Sequence, residues 1–255
     1  MKIIDSHEVE RLAVLSLALE PLAKKNGCTS RGRDLRKDLR LVDFQTAAVN
    51  SGKYFYELAE RIKRTKGQPK VFYDLSFQAL NNSTKNLKNK KIISFGLIEL
   101  LFLIVVSHLV YGGRGVGVIK NIAKVFLHSS EKDVYYKEEM FRIAWGSSRK
   151  KIKRTYTFRL GGKNLFEHYQ KHYLKGKESG FIGNMLWCDQ MLKSLPIACS
   201  MYHTAKKYKS YGFFRSLEES FRVGLRKLPR AGTVADFTAV IGYLMLVDGE
   251  NDKLI

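Results

Sequence analysis

Residues 92–111, IISFGLIELLFLIVVSHLVY, constrain the fold more than any other part of the chain, because an apolar run of that length has only two stable environments. At the helical rise it is long enough to cross a bilayer, or it is the central helix of a protein large enough to surround it. Ser94, Glu99, Ser107 and His108 lie inside it. A carboxylate in the middle of hydrocarbon costs about 2.5–3.5 kcal/mol on insertion scales, so a buried core helix is favoured and a membrane span is not. A chain of 255 residues has enough material to cover such a helix.

The flanking segments predict the cover. Leu12, Val14, Leu15, Leu17, Ala18 and Leu22 recur at near-helical spacing across 9–24, with Pro21 interrupting the end. Asn26-Gly27 marks a turn, and Thr29 or Ser30 can cap the charged segment that runs into Leu41, Phe44, Ala47 and Ala48. Further helices are expected over 54–62 and 72–80. The first of these is closed by Gly67-Gln68-Pro69, and the second is followed by a polar linker over 81–91. After the apolar run come a glycine loop at 112–117, a short amphipathic helix over 118–126 and an acid-led helix over 131–145 capped by Ser129 or Ser130. The last third holds helical stretches over 183–207, 215–228 and 234–246. The expected fold is all-α: one compact multi-helix domain over 1–255 around the apolar helix, with room for one short β-hairpin at 155–160 turning on Gly161-Gly162.

Charge narrows the partner. Forty-five Lys and Arg against 24 Asp and Glu leave +21, a field that attracts nucleic acid, nucleotides, CoA-type molecules or an anionic surface. Cys28, Cys188 and Cys199 are odd in number and share no C-x-x-C spacing, which points away from a disulfide framework and toward a reducing, cytoplasmic setting. No secretory leader pattern opens the chain.

Four segments bear on chemistry. In 31–40, RGRDLRKDLR, a helical spacing sets Asp34 beside Asp38 and Arg33 beside Lys37. Carboxylates suit a hard cation such as Mg2+ and arginines suit phosphate, although the same pattern serves a solvated, ion-paired helix face. The glycine loop leads into a helix start with Arg114 and Lys120 nearby, an anion-binding arrangement or a plain interhelical turn. The block 149–177 carries ten Lys or Arg against Glu167 alone and reads as an insertion or binding surface. Its Arg149, Lys150, Lys151, Lys153, Arg154, Tyr156, Arg159 and Lys163 are the candidates for a backbone-tracking, base-stacking contact with RNA or DNA, unless the aromatics face the core. His168 and His172 share one helix face, but no third metal ligand is placed beside them by sequence.

Taken in order, several segments resemble the triphosphoribosyl-dephospho-CoA synthase family, an all-helical group that joins dephospho-CoA to the ribose of ATP with loss of adenine. Ala13 to Glu20 followed by Gly27 is similar to that family's first helix and turn, and Arg33-Asp34-Leu35 through Asp43-Phe44-Gln45-Thr46-Ala47-Ala48 to its Asp-bearing stretch. Ser94-Phe95-Gly96-Leu97 to Leu103 resembles its central helix, and the sequence from Pro229 to Asp236 its C-terminal Pro-Gly and Ala-Asp element. The family's Pro-Lys-Pro-Gly turn falls at Lys24-Lys25-Asn26-Gly27, where both prolines are missing, and Ile92, Ile93 and Ser94 replace polar residues before Gly96. The resemblance implies ATP and dephospho-CoA as substrates, Mg2+ as cofactor, Asp34 or Asp38 as catalytic metal ligands, and Lys25, Arg31 and Arg33 as phosphate contacts; Arg36, Lys37, Arg114 and Lys120 are phosphate candidates by charge and position alone. These departures equally suit a degenerate scaffold, and a non-catalytic nucleic-acid-binding component of a larger assembly is the alternative. A homo-oligomer or a partner protein is compatible with either.

Overall fold

The computed structural model describes residues 5–29, 40–85, 87, 94–145, 160–178, 195–228 and 231–249, so segment 30–39, most of the basic block and nearly all of the expected hairpin lie outside the description. The described residues form a single helical domain: α1 (Ser6–Leu19), α2 (Leu41–Arg64), α3 (Tyr73–Ser83), α4 (Phe95–Val106), α5 (Val116–His128), α6 (Glu131–Trp145), α7 (Leu165–Glu178), α8 (Leu195–Lys207), α9 (Phe213–Lys227) and α10 (Ala231–Val247). Among the described residues no strand occurs.

α1 buries Val9, Leu12, Ala13, Ser16 and Leu17 and passes into a 3-10 turn, Glu20–Leu22, whose first positions hold Pro21. Proline is tolerated there because the first N–H groups of a helical turn have no intrahelical partner. α2 is longer than the helix expected over 54–62, since it starts at Leu41 and runs through Gly52 without a break. Gly52 is used for contact: a Cβ there would fall 2.7 Å from Val14 Cγ2, so its absence lets α1 and α2 approach closely. α2 ends where Gly67 turns left-handed at φ +81° and its N–H bonds Ile62 O at 2.9 Å, the glycine-terminated closure expected of that position.

Every residue of α4 is buried. It packs against α1, α2, α3, α5 and α10, and a π-helical turn, Ser107–Tyr111, carries it to Gly112. Among the described residues no single helix is long and apolar enough to cross a membrane. Phe95–Tyr111 and Val116–His128 reach that length only together, bent by 96° at the glycine loop. The apolar run is thus a buried core helix, which α5 leaves at close to a right angle.

Glu99 sits near the N-terminal end of this helix, in its second turn, with no exposed surface, and three donors converge on its Oε1. Tyr73 Oη donates at 3.0 Å, Tyr169 Oη at 2.7 Å, and the Lys137 ammonium forms an ion pair with the same oxygen. Lys137 is as buried as its partner, and its charge also lies over the rings of Phe141 at 4.2 Å and Phe95 at 4.6 Å. Asp133 fixes the geometry of the donors. Its Oδ1 accepts the N–H groups of Phe72 and Tyr73 at the start of α3, at 2.8 and 2.9 Å, while its Oδ2 accepts from Ser130 at the start of α6. One buried carboxylate therefore caps two helices and ties Tyr73 to Lys137.

Removing one partner of a buried ion pair strands the other charge, which typically costs about 3–5 kcal/mol. Lys137→Met is expected to destabilise the protein by that order in denaturant unfolding. Adding Glu99→Leu to it should restore most of the loss, because the double change removes both charges.

Candidate functional site

Segments far apart in the sequence meet at the N-terminal turn of α4. From α1 and its following turn come Glu20, Lys25, Gly27 and Cys28; from α4 come Gly96 and Glu99; from α10 comes Asp236. Gly27 adopts φ +81°, and a Cβ on it would lie 3.3 Å from Ala231 Cβ, so this turn is pressed against the first residue of α10. Gly96 is closer still to that helix, since an added Cβ would overlap the carboxyl of Asp236. Glycine is required at 96 so that α10 can lay Asp236 across α4.

The electrostatics of the locus are those of several acids sharing few cations. Lys25 is buried, and its ammonium pairs with the Glu20 carboxylate and donates to Glu20 O at 2.6 Å. Burial nonetheless pushes the Glu20 carboxyl above its usual range, with Lys25 opposing. Asp236 keeps a little accessible surface, yet its carboxyl lies deep in the fold. Desolvation pushes it well above the usual carboxylate range, Glu20 and Glu99 push the same way, and Lys25 opposes them. The shift is toward its protonated, proton-donating form. Glu99 Oε2 is buried and has no hydrogen-bond partner, unlike the saturated Oε1. The positive end of the α4 dipole, where Ser94 makes no side-chain cap, lies at the same place. Desolvation pushes the nearby Cys28 thiol up to about 11, which leaves it unsuited to act as a nucleophile.

Of the residues singled out by sequence, Lys25 is in this locus, with its ammonium committed to Glu20 rather than turned to solvent. Asp34, Asp38, Arg31, Arg33, Arg36 and Lys37 lie outside the described residues, as do Arg149, Lys150, Lys151, Lys153, Arg154, Tyr156 and Arg159. Arg114 and Lys120 are exposed on the glycine loop and α5, and Lys163 is exposed before α7. Of the aromatics in the basic block, Tyr169 points into the core and Phe166 stands at the surface. Sequence reasoning missed Glu99 and Asp236 as site residues. The signal for Glu99 was present, a single carboxylate in an otherwise apolar helix; for Asp236 it was only the resemblance of its segment.

The family model of ATP:dephospho-CoA triphosphoribosyl transferases matches residues 6–171, which spans α1 through the first half of α7 and contains Glu20, Lys25, Gly96 and Glu99. The chain belongs to that family. Comparison with curated proteins and with solved structures returns no match. Asp236 lies beyond the matched residues, yet α10 packs on both α1 and α4 and completes the locus that the matched part begins.

A carboxyl with a raised folded pKa binds more protons in the folded than in the unfolded chain, so stability falls as pH climbs from its ordinary value of 3.8 toward the folded value. Asp236→Asn removes this penalty. The variant is expected to be more stable than the wild type at pH 7 and to lose that advantage below about pH 4, read from denaturant unfolding at the two pH values.

Proposed function

We propose that the protein transfers the triphosphoribosyl group of ATP to a hydroxyl of dephospho-CoA and releases adenine, with Asp236 and Glu99 as its acid and base. The observation that carries this reading is the convergence of Glu20, Gly96, Glu99 and Asp236 at one end of α4 in a chain of this family. In the reaction the bond from the ribose anomeric carbon to the adenine nitrogen breaks and a bond to the acceptor oxygen forms. Asp236 gives its proton to the departing adenine. Glu99 Oε2, the oxygen left open by the donors on Oε1, takes the proton of the attacking hydroxyl.

The remaining groups position and balance charge. Lys25 and Glu20 hold the turn against α10 and set the field at Asp236. The α4 dipole favours an anion at its N-terminus. Mg2+ is the cofactor this reading calls for; Asp34 and Asp38 offer the hard oxygen donors that would hold it, and its charge would offset the triphosphate. Arg31, Arg33, Arg36 and Lys37 lie in the same stretch of sequence and suit phosphate oxygens. A cytoplasmic setting accords with both substrates.

The test is chromatographic detection of adenine from ATP, dephospho-CoA and Mg2+ with purified protein. Adenine is expected only when both substrates are present. Asp236→Asn should lower the rate about 10²–10⁴-fold, the range for loss of a general acid, while leaving the protein more stable at pH 7. A folded wild-type protein that releases no adenine would overturn the reading and leave the nucleic-acid alternative, whose mark is binding that weakens steeply with salt.

A further inference from the structure

A second constellation lies on the other side of Lys137. α6 supplies Glu138, and α7 supplies His168 and His172, one helical turn apart on one face. One donor atom of each lies within 4.8 Å of the other two, and all three residues are buried. The Nε2 atoms of both histidines are buried without a hydrogen-bond partner. Leaving such a group unpaired in the interior is costly, and here two occur with ring centroids 4.4 Å apart.

The surrounding backbone is built to hold these rings. Gly161 N–H donates to Glu138 Oε1 at 2.9 Å, and Gly161 O lies 3.4 Å from His168 Nδ1. A proton on Nδ1 directed at that carbonyl leaves the lone pair on Nε2, the arrangement by which proteins orient metal-binding imidazoles. Gly162 sits at φ +155°, and a Cβ there would come 2.9 Å from His168 N, so the loop is packed tightly on the start of α7. Glu138 also lines a surface cleft of about 410 Å3 with Gly161, Gly162 and Lys163, and the two histidines lie buried behind it.

We infer that Glu138, His168 and His172 form a binding site for a divalent first-row transition metal, with Zn2+ the best fit. Two imidazoles and one carboxylate suit Zn2+ and its neighbours, whereas Mg2+ and Ca2+ prefer all-oxygen shells. Three protein ligands leave a coordination position for water. The Lys137 ammonium is felt at both imidazoles, and its ion pair with Glu99 offsets part of that charge. Bound metal joins α6 to α7 next to Tyr169, one of the donors that hold Glu99. This site is independent of the transfer reaction and requires no activity to be observed.

The test uses the untagged full chain, stripped with chelator and titrated with ZnCl2 and then CoCl2. Expected are one equivalent of Zn2+ by elemental analysis, a rise in Tm of about 5 °C or more at 100-fold excess over the dissociation constant, and visible cobalt absorption bands. His172→Gln and Glu138→Gln, each conserving size, should each lower the affinity at least tenfold. Wild-type protein that binds less than one-tenth of an equivalent, or Zn2+ binding unchanged in both variants while they remain folded, would overturn the assignment.

Discussion

The ion pair between Glu99 and Lys137 is the constraint around which the rest of the molecule is arranged. A carboxylate and an ammonium without exposed surface cannot persist in an apolar interior unless their remaining bonding capacity is met. Tyr73 and Tyr169 meet part of it on the carboxylate side, and aromatic faces surround the ammonium. Those four side chains come from α4, α6, α3 and α7, so satisfying one pair of charges fixes the mutual placement of four helices. Burial holds both tyrosine hydroxyls well above their usual titration range, which keeps them donors.

The same pair separates two regions of different chemistry. On one side lie the oxygen acids Glu20 and Asp236 with Lys25; on the other lie the two imidazoles of α7 with Glu138. Each region is held by a glycine that admits close backbone approach, Gly96 under Asp236 and Gly162 over His168. Neither glycine would be chosen for helix or strand propensity. Their value is the atom they lack.

Much of the architecture was legible in sequence because it rests on local periodicity. The apolar run at 92–111, the break at Pro21 and the acid-led start of α6 all reappear as elements with nearly the expected bounds. What periodicity cannot carry is the meeting of distant segments. His168 and His172 were visible as a spaced pair, but their third partner, Glu138, is an ordinary acid on another helix. Asp236 likewise gains its character from burial first and then from the acids that α1 and α4 bring near it. Gly52 shows the opposite case, since the helix expected only over 54–62 runs through it from Leu41, and its missing side chain makes room for Val14.

The position of α10 bears on how the chain is made. Its contacts reach back to the first helix, where Ser16 Oγ bonds Ala239 O, and it covers α4, the most apolar part of the molecule. During synthesis α4 leaves the ribosome long before α10, so its hydrophobic surface waits without its final cover while more than a hundred further residues are added. Chaperone demand and sensitivity to premature termination are thereby concentrated in that interval. A shortened chain retaining residues 6–171 would keep the sequence by which the family is recognised, yet it would present an unfinished core to the quality-control machinery.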